Sequence, residues 1–152
     1  MARMRGPRVT EKLVPFFTSV ELSELERACR GNTFAQRRDA AIIGVFRASG
    51  VRLSELAGIR CQDVDLATRE IKIFGKRRRE RIVKIDYEAA RRMDRYLRAR
   101  AKHEQASRAW LWLGVHGRGP LSDKGIYEMI RRRGKDAGVH VYPHRFRHLL
   151  CA

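Results

Sequence analysis

Residues 69–86, REIKIFGKRRRERIVKID, constrain the fold more than any other stretch of this chain. Apolar and polar residues alternate through REIKIFG and again through RIVKID, on either side of a turn at Gly75–Glu80. Side chains on a strand point to opposite faces in turn, so the alternation predicts two antiparallel strands joined by a tip crowded with cations.

The flanking segments keep a different period. TSVELSELERACRG places Thr18 three residues before Glu21, the spacing of a capping box, and continues through Leu22, Leu25 and Ala28 to Gly31, which predicts a helix. FAQRRDAAIIGVFRASG carries Ala41, Ile42, Val45 and Phe46 at helical spacing and closes on Gly50, suited to a C-terminal cap, so a second, buried helix is expected. VRLSELAGI reads as a short helix, and YEAARRMDRYLRARAKH as a long one with Ala89, Met93, Tyr96 and Leu97 along one side. AWLWLG reads as a third strand, followed by a glycine-rich loop over Gly114–Pro120. Ser122 is placed to cap a helix over DKGIYEMIRRRGKDAG, and a closing helix starts near Pro143. The expected architecture is α+β: mainly α-helical with a small three-stranded antiparallel sheet. One domain is expected over residues 18–152, behind a basic linker at 1–17.

Charge narrows the class of partner. Lys and Arg number 34 against 17 Asp and Glu, a net +17. Self-repulsion of that size is offset by a polyanion, so nucleic acid is the expected partner, not a small-molecule substrate. No stretch has the run of apolar residues a membrane span or signal peptide needs, which predicts no membrane partner and a cytoplasmic, nucleoid-associated protein. Cys29, Cys61 and Cys151 form no CxxC pair, which argues against a disulfide framework or a zinc knuckle and predicts buried free thiols.

The densest chemistry lies in PHRFRH, residues 143–148. On a helix, His144, Arg147 and His148 share one face while Phe146, Leu149 and Leu150 share the opposite one. An arginine fork beside an imidazole suits a phosphate, because guanidinium makes two parallel hydrogen bonds to its oxygens and histidine moves a proton near neutral pH. His144, His148 and Cys151 also fall at i, i+4 and i+7, a spacing zinc accepts. Arg147 at the edge of that face opposes a dication and no fourth ligand is placed, so no metal and no cofactor are expected. Elsewhere, GVRLSEL sets Arg52 and Glu55 three apart, the spacing of an ordinary helical ion pair. FGKRRRER reads equally as a solvated hairpin tip or as a lysine able to reach into a phosphate site and protonate a leaving oxygen.

Taken together and in this order, ASGVRLSEL, IKIFGKRRRERIVKI and HRFRH resemble the catalytic domain of tyrosine recombinases, the phage-integrase family. The resemblance covers about residues 18–152. It implies site-specific DNA recombination or integration, with double-stranded DNA and further recombinase subunits as partners. By the same resemblance Arg52 is the first catalytic arginine, Glu55 its supporting acid, and Lys76 the general acid on the leaving 5′ oxygen. His144 and Arg147 match the HxxR motif and His148 the histidine often beside it, with Arg77, Arg78, Arg79 and Arg145 as further DNA contacts. Two arginines can hold the non-bridging oxygens and stabilise the pentacoordinate transition state without a metal.

The family's nucleophilic tyrosine follows the HxxR helix, and no tyrosine of this chain matches it. Tyr87, Tyr96, Tyr127 and Tyr142 all precede Arg147. The expectation is therefore a partial catalytic domain lacking the C-terminal tyrosine segment, inactive alone unless a neighbouring subunit supplies the nucleophile. The alternatives are a non-catalytic DNA-binding remnant of an integrase and, leaving the ordered motifs unexplained, a basic RNA-binding protein.

Overall fold

The computed structural model describes residues 17–115 and 117–141, and of Arg78 the backbone only. Its elements run α1 (Ser19–Ala28), α2 (Phe34–Ser49), α3 (Leu53–Ala57), β1 (Val64–Asp65), β2 (Glu70–Phe74), β3 (Glu80–Lys84), α4 (Tyr87–Arg100) and α5 (Asp123–Ala137).

Local spacing starts and stops the helices much as expected. The Thr18 hydroxyl accepts from the Glu21 amide at 3.0 Å while the Glu21 carboxylate accepts from the Thr18 amide at 3.0 Å, so the two satisfy each other's open donors. Thr33 and Gln36 repeat the device at the start of α2. Gly50 ends α2 with φ 64°, a left-handed cap that costs glycine nothing, and redirects the chain into α3. Ser122 and Asp86 cap α5 and α4 through the amides of Gly125 and Ala89.

Six consecutive residues of α2, Ala41–Phe46, are buried, so this helix is enclosed on all sides. It packs on α4, while α1 lies against α5 and α3 against both α5 and β2. The sheet has the order β1-β2-β3, all antiparallel, with Ile71 opposite Val83 and Ile73 opposite Arg81. Ile71, Ile73 and Val83 face the core, and Phe74 and Ile82 face outward.

The third strand differs from the expectation. AWLWLG is not part of the sheet: it makes only two isolated bridges, Arg60 with Trp110 and Leu113 with Pro120, and Val64–Asp65 takes the third place. Leu111, Trp112 and Leu113 are all buried, with no alternation, and side chains from α4 occupy the backbone groups a ladder would use. The Tyr96 hydroxyl donates to the Leu111 carbonyl at 2.7 Å and accepts from the Leu113 amide at 3.1 Å. Arg100 donates to the carbonyls of Leu111, Ala106, Arg108 and Trp110 at 3.0, 3.0, 2.8 and 2.6 Å. A buried backbone group must be paired, and here a guanidinium and a phenol stand in for a neighbouring strand. Arg100 is also where α4 ends, three residues before the expected stop at His103.

Two buried acids give the core a pH limit. Burial pushes the Cys29 thiol up to about 12, with the neighbouring Asp39 carboxylate adding to the effect, and burial pushes the Tyr96 hydroxyl up to about 12. Both folded values lie above those of the unfolded chain, so the unfolded state releases protons first as pH rises. The stability they hold is complete below pH 9 and is lost above it. The unfolding free energy is expected to drop by about 2–3 kcal/mol from Cys29 alone between pH 8 and 11. Urea titrations of the wild type and of Cys29→Ala check this: the alanine variant should show the shallower decline, and parallel curves would contradict it.

Candidate active site

Arg52 is the residue that caps α3, with extended backbone (φ −71°, ψ 153°), so its side chain leaves the helix at its N-terminal edge. Glu55, at the third position of α3, folds back and accepts from the Arg52 amide at 2.8 Å. Its side chain is only 3% exposed, and a carboxylate so enclosed needs partners. Arg52 Nη1 lies 3.6 Å from Oε2, and Arg81 Nη2 donates to Oε1 at 2.9 Å. One buried acid thus sits between two arginines from different elements. The ion pair expected between Arg52 and Glu55 is present but long, and the shorter contact comes from β3.

The hairpin reaches this acid because residue 75 is glycine. A Cβ there would lie 3.0 Å from Glu55 Oε2 and 3.8 Å from Arg52 Nη1, too close to the carboxylate for any other residue without a shift. Gly75 donates to the Arg79 carbonyl at 2.8 Å, closing the tip, and Lys76–Arg78 form a single 3-10 turn. Lys76, Arg77 and Arg79 are exposed on that turn. Arg77 holds φ 59°, in the left-handed region that disfavours a Cβ. Among the described residues, Lys76, Arg77 and Arg79 make no ion pair. The Arg52 side chain is 26% exposed, and among the described residues its one ion pair is the long contact with Glu55, which leaves part of its fork open to solvent.

α3 is held in place from behind. The Trp112 indole donates to the Leu56 carbonyl at 2.8 Å, and Trp112 stacks at a tilt on Tyr96, their ring centroids 5.4 Å apart. Arg38 Nη1 donates to the Leu113 carbonyl at 3.0 Å, which ties the same segment to α2.

Of the residues singled out in the sequence, Arg52, Glu55 and the hairpin bearing Lys76, Arg77, Arg78 and Arg79 come together at one place. His144, Arg145, Arg147 and His148 lie outside the described residues, as do Cys151 and Tyr142. Arg81 was missed. The signal for it was present: Arg81 alternates in step with Val83 and Ile85, so it leaves the strand on the same side as these buried residues and, though its side chain is 49% exposed, its fork can reach an acid at the edge of the core. Tyr96 is fully buried and bonded on both sides of its oxygen, which suits a core residue. Tyr87 is 77% exposed beneath the Arg69 guanidinium, 4.1 Å from its ring centroid.

A bundle of helices around a small antiparallel sheet is the fold of tyrosine recombinase catalytic domains. The structure superposes on the crystal structure of XerA recombinase with a TM-score of 0.71 at 28% identity, over 88% of this chain and 48% of that one. It has the same fold as XerH site-specific recombinase bound to palindromic difH substrate (TM-score 0.70, 19% identity, 92% and 42% covered). Residues 15–152 match the phage integrase family, and the chain belongs to that family. It is 37% identical over 147 residues to tyrosine recombinase XerC of Actinobacillus pleuropneumoniae, covering 95% of this chain and 47% of the relative. It is 32% identical over 149 residues to XerC of Corynebacterium efficiens, covering 97% and 47%. The chain spans about half the length of the curated relatives it matches.

Proposed function

We propose that this chain grips a DNA phosphodiester and carries catalytic side chains for site-specific strand cleavage and rejoining. The observation that carries the reading is the buried Glu55, which aligns Arg52 beside the hairpin turn that bears Lys76. In this reading the Arg52 fork, joined by Arg147, binds the non-bridging oxygens and stabilises the charge that builds on them in the transition state. A tyrosine oxygen attacks phosphorus, the bond to the 5′ oxygen breaks, and Lys76 gives that oxygen its proton while His144 takes the one from the tyrosine. The 3′-phosphotyrosyl bond keeps the energy of the bond it replaced, so another 5′-hydroxyl reverses the step on a second duplex without a nucleotide cofactor. Glu55 and His148 orient the arginines. Arg77, Arg78, Arg79 and Arg145 contact the backbone on either side.

Because Tyr87, Tyr96, Tyr127 and Tyr142 all precede Arg147, the nucleophile in this reading comes from outside these 152 residues, from a longer polypeptide or from another recombinase subunit. The 152 residues alone then bind DNA and form no covalent adduct with a nicked duplex.

Duplex affinity measured by fluorescence anisotropy is expected to fall by about a thousandfold between 50 and 200 mM salt, the response of a protein that releases five or six counterions. Single-stranded RNA of equal length should compete more weakly than duplex DNA. Equal competition, or affinity indifferent to salt, would point to a different partner and sink the proposal.

A further inference from the structure

A second cluster of arginines lies away from Arg52. The end of α1, the loop that follows it and the exposed side of α4 enclose a cleft of about 300 Å³ beside the start of α2. Arg30, Arg37, Arg91, Arg92 and Arg95 line it, against Glu26 and Glu88. The two carboxylates are already matched: Glu26 pairs with Arg47 at 2.7 Å and Arg92 at 2.6 Å, and Glu88 pairs with Arg91 and with Arg92 at 3.3 Å. Among the described residues Arg95 donates only to neutral oxygens, Asn32 Oδ1 at 2.8 Å and the Gly31 carbonyl at 3.5 Å. Arg37 reaches the Arg95 carbonyl at 3.5 Å through Nη1, and its Nε is buried with no hydrogen-bond partner among the described residues. Among the described residues, no carboxylate pairs with Arg30, Arg37 or Arg95.

A buried donor of a charged group left without an acceptor is costly, and three unmatched guanidinium groups repel one another. An anion between them removes both penalties. Phosphate fits best, since its oxygens accept paired bonds from several forks at once and the cleft has room for one or two phosphoryl groups.

We propose that this cleft is a second phosphate-binding site, built by Arg30, Arg37 and Arg95 and separate from the site at Arg52. Arg37 is the fourth residue of α2 and Arg52 lies just past its end, so the two sites are about three to four helical turns apart, roughly 20 Å. That separation corresponds to about six base-pair steps of duplex. The phosphate is therefore either a backbone group several steps from the one at Arg52 or the phosphoryl end of a small ligand.

The test compares wild type, Arg37→Gln/Arg95→Gln and Arg52→Ala, with inorganic pyrophosphate and with duplexes of about 6 and about 20 base pairs, by calorimetry and anisotropy. If the source is a small phosphate, pyrophosphate binding weakens about tenfold or more in the double variant and survives in Arg52→Ala, while the double variant binds the long duplex as the wild type does. If the source is DNA, the double variant loses affinity for the long duplex only, and its salt slope becomes shallower by about one or two. Both results support the site. Unchanged binding of both ligands by the double variant, or loss of pyrophosphate binding in Arg52→Ala instead, overturns it. Loss of duplex binding in Arg52→Ala alone bears on the Arg52 site and not on this one. Should the double variant fail to fold, the Arg37 Nε–H resonance of wild type decides: a saturable shift with pyrophosphate supports the site, and none overturns it.

Discussion

Asp39→Ala is expected to lower the unfolding free energy by about 3–5 kcal/mol, as when one member of a buried ion pair is removed and the other is left uncompensated. Asp39 is 2% exposed between Arg38, itself 3% exposed, and Arg133. Its Oδ1 accepts from Arg38 Nε at 2.9 Å, and its Oδ2 accepts from Arg133 Nε and Nη2 at 2.9 and 2.8 Å. Without the carboxylate, Arg38 keeps a charge in the core with only the Leu113 carbonyl to bond. The same network joins α2 to α5 and to the segment behind α3, so the site at Arg52 should loosen as well. Arg38→Met/Asp39→Leu separates the charge from the contact: it removes the more deeply buried cation with the acid, while Arg133, 18% exposed, keeps the Ala28 carbonyl in both variants, so the double variant should be more stable than Asp39→Ala. Denaturant titration measures both. A loss below about 1 kcal/mol in the single variant would mean that Arg38 finds water or another acceptor.

Arg52→Ala carries the second large effect, and it is functional. In a polypeptide or mixed assembly that supplies the tyrosine, the rate of covalent adduct formation on a nicked duplex is expected to fall by about 10²–10³, the usual loss when a fixed donor to a developing oxyanion is removed. Arg52 is partly exposed, so stability should change little. Arg52→Lys should recover only part of the rate, because an ammonium cannot reproduce the two parallel donors of the fork. Glu55→Gln offers a contrast: it keeps the shape but releases Arg52 and Arg81 from a shared charge, so it should slow cleavage and lower stability together. If Arg52→Ala cleaves at the wild-type rate, the assignment of this site fails.

Helices α1–α5 and the hairpin were readable in the sequence because their causes are local. Thr18 with Glu21, Gly50 after a buried run, and the alternation through REIKIFG and RIVKID each act across a few residues, the range over which caps and strand faces are determined. AWLWLG misled for a reason of the same kind: an apolar run suits a strand, and nothing local announces that Tyr96 and Arg100 will take its backbone bonds. Arg52, Glu55 and Lys76 could be chosen from the ordered motifs, with a resemblance to guide the choice.

What sequence alone determined, then, is helices α1–α5 and the hairpin, the charge and the family to which the motifs belong. What only the tertiary structure decided is which groups meet. Arg81 closes on Glu55 across 26 residues and Arg133 on Asp39 across 94, and the five arginines of the second cleft come from two helices and the loop between α1 and α2. A charged side chain far along the chain shows no partner in its own neighbourhood. Its pairing follows from packing the apolar faces first, since burial of those faces brings the acids and arginines within bonding distance.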